Sequence, residues 1–186
     1  MSDVARDGTT PVPGVDDEAR EPASATTEEL IRLAALVGRR LADRGATLST
    51  AESCTGGLIG HVLTEISGSS AWYLGGAVVY SDELKRRLVA VPDTLLETHG
   101  AVSAAVAEAM AAGARVSFGT TLAVSVTGIA GPTGGTATKP VGLTFVAVAD
   151  GAGGEVRRHV WAGDRSANKR ESAHAVLRLL LDRLAT

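Results

Sequence analysis

What most constrains this chain is a regular exchange between two periodicities. From residue 26 onward, helix-patterned stretches alternate with apolar runs of strand length. Elements in that order bury themselves as a sheet between layers of helices. At "TTEEL", Thr26 and Glu29 form a capping box; Leu30, Leu33, Ala34, Val37 and Leu41 then share one helical face, and Gly45 is a stop. A strand is expected at "ATLSTA", a helix from Ser53 to about Leu63, and a buried strand "GGAVVYS" ending at Tyr80. Helices follow at "SDELKRRLV", "PDTLLETHG" and residues 103–116, then a strand over 121–126. "VGLTFVAVAD" and "EVRRHVWAG" pattern as an antiparallel hairpin joined through residues 150–154. The last helix turns Ala173, Val176, Leu177, Leu180, Leu181 and Leu184 inward. The expected class is α/β with a mixed sheet.

Bulk properties remove several functions. The 186 residues suit one domain with a substantial core. No apolar run approaches the roughly 20 residues that span a bilayer, and no export signal opens the chain. A single cysteine, Cys54, excludes an internal disulfide and fits a cytoplasmic protein. The net charge of −3 divides unevenly: residues 1–25 carry six acidic and two basic side chains, so the rest is close to neutral. That body offers no basic stripe, and 3% aromatic residues supply few stacking platforms, so no nucleic-acid partner is expected. Residues 1–25, with three prolines and little apolar content, read as a disordered acidic leader before a domain at 26–186.

Three places can carry chemistry. "STAESCTGG", residues 49–57, reads as a strand-to-helix turn that presents Ser53 at the carboxyl end of a sheet, where ligands of open α/β folds sit. The N–H groups of Cys54, Thr55 and Gly56 would be free to hold an oxyanion or phosphate, and Gly56 and Gly57 keep side chains out of the way. The competing reading of Ser53 is a plain helix cap. In "YSDELK", Ser81 as N-cap makes Tyr80 and Lys85 the pair that meet in a hydrophobic staple. A lysine drawn out of water loses proton affinity, and a tyrosine hydroxyl beside it can relay a proton to make a base for a serine. The competing reading is a solvated lysine. The third place is the long glycine–proline loop "TGIAGPTGGTATKPV", residues 127–141, together with "GDR" at 163–165. Amides of Gly128 and Gly131 can line an anion or amide pocket, and the Arg165 fork suits a phosphate.

The four histidines are scattered and pair with no cysteine, so no metal site is expected. Cys54 has no histidine within reach to serve as its base and reads as a small buried hydrophobe.

Taken together, "TAESCTGG", "GSSAWYLGG", "VVYSDELK", "HGAVS", "TGIAGPTGG" with "KPVG", and "GDR" resemble the CinA C-terminal-domain family over about residues 28–184. The resemblance implies a three-layer α/β/α fold with a mixed, mostly parallel sheet. It also implies metal- and cofactor-independent hydrolysis of the carboxamide of nicotinamide mononucleotide, as in the family's stand-alone amidohydrolases. Longer members carry an N-terminal nucleotide-pyrophosphatase domain, an activity not expected of this chain. The family's serine, tyrosine and lysine fall on Ser53, Tyr80 and Lys85. Thr127, Gly128 and Gly131 would then shape the nucleotide pocket and Arg165 meet the phosphate. A non-catalytic nucleotide-binding module, or an amidase for a related nucleotide, stays open at this point, as does a homo-oligomer.

Overall fold

The computed structural model describes residues 25–185. The acidic leader expected over residues 1–25 lies outside the described residues except for Ala25, which is buried. Its N–H donates to Glu171 Oε1 at 2.8 Å, and its carbonyl accepts from Arg170 Nε at 2.9 Å. The packed body therefore includes one residue assigned to the leader.

Helix α1 (Thr27–Asp43) starts at the Thr26 cap, whose Oγ1 accepts from the Glu29 N–H at 3.1 Å. Strand β1 (Leu48–Glu52) leads to α2 (Leu58–Thr64), a short 3-10 turn and β2 (Tyr73–Val78). Helices α3 (Asp82–Val89), α4 (Asp93–His99) and α5 (Ala104–Phe118) follow, then β3 (Leu122–Gly128). The hairpin β4 (Leu143–Asp150) and β5 (Gly153–Val160) precedes α6 (Arg165–Arg183). No helix among the described residues is long and apolar enough to cross a membrane.

The five strands form one sheet in the order β2-β1-β3-β4-β5. Strand β1 pairs in parallel with β2 and β3, and the hairpin adds two antiparallel ladders. Only β4 runs against the common direction. One face, through Leu48, Val124, Val126, Val146 and Val148, packs on α1, α2 and α6. The other, through Ala51, Ala123 and Ala147, packs on α3 and α5. This is a three-layer α/β/α sandwich. Alanines and one glycine let α5 lie close: a side chain at Gly113 would collide with the Val89 carbonyl at the end of α3.

The chain leaves β1 for β2 on one side and then crosses to β3 on the other, a topological switch point. In parallel strands the carboxyl ends lie along one edge, and ligands bind at the switch. Ser53 follows β1, Tyr80 follows β2, and Thr127 and Gly128 end β3.

Two boundaries differ from expectation. The helix expected from Ser53 begins only at Leu58, with Gly57 in the cap position at φ 96°. Gly56 and Gly57 both hold positive φ, so the chain makes a further turn before the helix forms. The strand expected to end at Tyr80 closes at Val78.

Candidate active site

Ser53 is held from both sides. Its N–H donates to the Val126 carbonyl at 3.0 Å, and the preceding Glu52 carbonyl accepts from Val79 N–H at 2.7 Å. The turn therefore hangs from both neighbouring strands. Because α2 starts five residues later, Ser53 does not cap it, and the capping reading fails.

The turn is organised by a residue that the sequence patterns did not single out. Glu52 is buried at 2% exposure. Its Oε2 accepts from Thr55 Oγ1 at 2.7 Å, Gly57 N–H at 3.0 Å and Ile59 N–H at 3.1 Å, and its Oε1 from Gly60 N–H at 2.8 Å. A buried carboxylate is tolerable only when so satisfied. The available signal was an acid closing an otherwise apolar and hydroxylic strand, "LSTAE", just before two glycines.

This arrangement narrows the expected oxyanion donors. The Gly56 N–H donates to the Ser53 carbonyl at 3.1 Å, and Gly57 N–H is taken by Glu52. That leaves the N–H groups of Cys54 and Thr55, which make no bond to another backbone carbonyl of the turn, as its remaining candidate donors. The Cys54 thiol is buried, and burial pushes its pKa up to about 12, so it stays a neutral thiol. Its side chain fills space, as the sequence suggests.

Lys85 is 1% exposed, far from the solvated lysine that was the competing reading. Ser81 caps α3, accepting from the Leu84 N–H at 3.2 Å, and so aims Lys85 inward. Nζ lies 3.4 Å from Ser53 Oγ and 3.4 Å from the Tyr80 carbonyl oxygen, with Asp82 Oδ1 at 3.7 Å. Burial lowers its pKa from the ordinary lysine value, while Asp82 pulls the other way.

Tyr80 is near Lys85, but through its carbonyl. Its ring points outward at 61% exposure, and the hydroxyl accepts from Arg165 Nη2 at 3.3 Å. Arg165 Nη1 also donates to the Gly131 carbonyl at 2.9 Å, so Tyr80, Gly131 and Arg165 form a rim. The remaining loop candidates hold structure. Thr127 is buried and its hydroxyl donates to the Ala101 carbonyl at 2.8 Å. Gly128 leaves no room for a side chain, since a Cβ would stand 2.8 Å from the Leu143 carbonyl.

Residues 129–142 are a pinned loop. Ile129 N–H donates to the Leu143 carbonyl and Gly142 N–H to the Ile129 carbonyl, each at 2.8 Å. Buried Asn168 on α6 adds the tie that sequence reading missed. Its Nδ2 donates to the Ala130 carbonyl and its Oδ1 accepts from the Gly163 N–H, each at 3.0 Å. Between loop and helix lies a cleft of about 490 Å³, walled by Pro132, Val141, Asp164 and Arg165 among others. Arg165 joins this cleft to Tyr80 and thus to the Ser53–Lys85 side. Among the described residues, no group of three or more His, Cys, Asp or Glu is placed to hold a metal ion.

Fold and site together define an α/β protein with a serine–lysine pair at the switch point of its sheet. The chain belongs to the CinA C-terminal domain family, whose sequence model matches residues 30–184. Nicotinamide-nucleotide amidohydrolase PncC of Escherichia coli K12 is 46% identical over 156 residues, covering 83% of this chain and 94% of that protein. A CinA-like protein of Salinibacter ruber is 50% identical over 147 residues, 79% of this chain. That alignment spans only 36% of the Salinibacter protein, so the match is to about a third of a longer relative. The crystal structure of competence damage-inducible protein A of Klebsiella pneumoniae superposes with a TM-score of 0.81 at 36% identity, covering 84% of this chain and 97% of that one. The competence/damage-inducible protein CihA of Agrobacterium tumefaciens gives 0.79 at 40% identity over 84% and 96%.

Proposed function

We propose that the protein hydrolyses the carboxamide of nicotinamide mononucleotide to nicotinate mononucleotide and ammonia, without a metal, through Ser53 and Lys85. The observation that carries this reading is the buried Lys85 Nζ 3.4 Å from the Ser53 hydroxyl. The likeness to PncC, which spans nearly all of that protein, supplies the substrate class.

Burial lowers the proton affinity of Lys85 below the ordinary lysine value, which favours the neutral amine that a base requires. It takes the proton of Ser53 as Oγ bonds to the amide carbon. Catalytic hydrogen bonds of this kind tighten on the way to the transition state. The N–H groups of Cys54 and Thr55 receive the oxyanion. The Lys85 ammonium returns its proton to the departing nitrogen, the C–N bond breaks, and ammonia leaves a Ser53 ester. Water then gives its proton to Lys85 and attacks the ester carbon, and Lys85 passes that proton to Ser53 Oγ as the C–O bond breaks, freeing the acid and restoring the serine. Tyr80 contributes its carbonyl to hold Lys85 and its hydroxyl, with Arg165, to the rim that substrate crosses. Gly128 and Gly131 shape the pocket floor, and Thr127 fixes it to the α4–α5 connection. The reaction belongs to pyridine-nucleotide salvage in the cytoplasm.

The test is ammonia release from nicotinamide mononucleotide in the presence of EDTA. Turnover unaffected by the chelator is expected. Absence of turnover by the folded protein, or turnover that EDTA abolishes, would contradict the reading.

A further inference from the structure

Three successive carbonyls of the α4–α5 connection each accept from a side chain of a different element. The His99 carbonyl takes Lys139 Nζ at 2.6 Å, the Gly100 carbonyl takes Ser103 Oγ at 3.0 Å, and the Ala101 carbonyl takes Thr127 Oγ1 at 2.8 Å. Ser103 caps α5, Thr127 lies at the end of β3, and Lys139 sits on the returning arm of the loop between β3 and β4. That loop is therefore tied to one short piece of backbone both where it leaves the sheet and where it comes back.

The Lys139 tie is built from both sides. His99 closes α4, so its carbonyl finds no partner within the helix, and a lysine side chain can satisfy it. Gly100 gives the amine its room: φ there is 71°, and a Cβ would stand 3.0 Å from Lys139 Nζ. The lysine backbone is fixed as well. Its N–H donates to Thr136 Oγ1 at 3.0 Å, and its carbonyl accepts from the Thr136 N–H at 2.7 Å. Residues 132–138 between the two arms are all exposed, so the ties at their ends hold them in place of packing. Val141, two positions past Lys139, walls the cleft, and a side chain at Gly131 or Gly135 would collide with it. From α6, Arg165 and Asn168 grip the first arm at Gly131 and Ala130. The cleft is thus bounded by a loop pinned to α6 on one side and, through Lys139, to α4 on the other.

We propose that Lys139 is a positioning residue, whose bond to the His99 carbonyl holds the 129–142 loop at the distance from α6 that admits substrate. That Lys139 holds the loop stands on the geometry alone; that the held loop receives a nucleotide amide rests on the amidase reading.

Two measurements keep these apart. In the first, ammonia release from nicotinamide mononucleotide is followed in wild type, Lys139→Met and Lys139→Arg. Lys139→Met raises KM about tenfold, the size expected for one charge-assisted hydrogen bond. Its kcat stays within about twofold, because Ser53 and Lys85 are untouched. Lys139→Arg, which can still donate to the carbonyl, restores KM. An unchanged KM in Lys139→Met, or a loss confined to kcat, overturns the inference while leaving the amidase intact. In the second, amide hydrogen exchange is followed in substrate-free wild type and Lys139→Met, with no turnover required. The amides at 136 and 139 exchange at least about tenfold faster in the variant, while Ile129 and Gly142 at the base of the loop keep their protection. Equal rates at 136 and 139 overturn the inference even where KM rises, since Lys139 would then meet the substrate itself.

Discussion

Lys85 is among the largest fully buried side chains of the protein, and it is a lysine. Placing an amine there costs stability, because burial opposes its charged form. Lys85→Met keeps the volume and removes that cost. The variant is expected to melt higher, by on the order of 1 kcal/mol, while losing at least about a thousandfold in ammonia release. The pH dependence has a definite sign. With the folded pKa depressed, the unfolded chain holds a proton that the folded one lacks between that value and the usual lysine value of 10.5. Stability therefore rises with pH through this window, and Lys85→Met flattens the rise. A scan of melting temperature against pH for both proteins checks it. Asp82 opposes the depression, so Asp82→Asn should move the acid limb of the pH–rate profile to lower pH.

The turn between β1 and α2 depends on Glu52 more than on helix propensity. One carboxylate gathers four donors, three of them backbone N–H groups at the start of α2, where a helix offers no carbonyl partner of its own. Glu52→Gln puts an amide NH₂ against donors. A loss of roughly 2–3 kcal/mol in urea denaturation is expected, with activity falling because Ser53 loses its fixed position. Here the limits of the sequence are visible. Apolar periodicity located every strand and every α-helix, most of their bounds within a few residues, because one-sided and two-sided burial leave strong patterns. It misplaced the start of α2, since Ser53 reads as a cap while two glycines at positive φ delay the helix. Staple spacing correctly made Tyr80 and Lys85 neighbours. It did not reveal that the carbonyl makes the contact, because the Tyr80 hydroxyl is claimed by Arg165, 85 positions away. Glu52 and Asn168 escaped notice for the same reason: most of their partners are backbone groups that no side-chain motif displays.

The site is assembled from distant parts of the fold, from β1, the first strand, to α6, the last helix. Closure of that last helix matters accordingly. Arg183 near its end grips Asp150 at the hairpin turn with two bonds, of 2.7 and 2.8 Å. Those bonds hold the Asp150 pKa down at about 2, against 3.8 ordinarily. Their contribution is present above the ordinary value and is lost as pH falls toward the folded one. Asp150→Asn should cost about 1 kcal/mol at pH 7, or ~2–4 °C in Tm, and the gap to wild type should close near pH 2. The central claim, that Ser53 is acylated during turnover, is tested most directly by acid-quenching the reaction with nicotinamide mononucleotide and weighing the Ser53-containing peptide. The expected result is a nicotinate-mononucleotide ester on Ser53 in wild type, with neither ester nor ammonia from Ser53→Ala. Ammonia release by Ser53→Ala at a rate near wild type would contradict it.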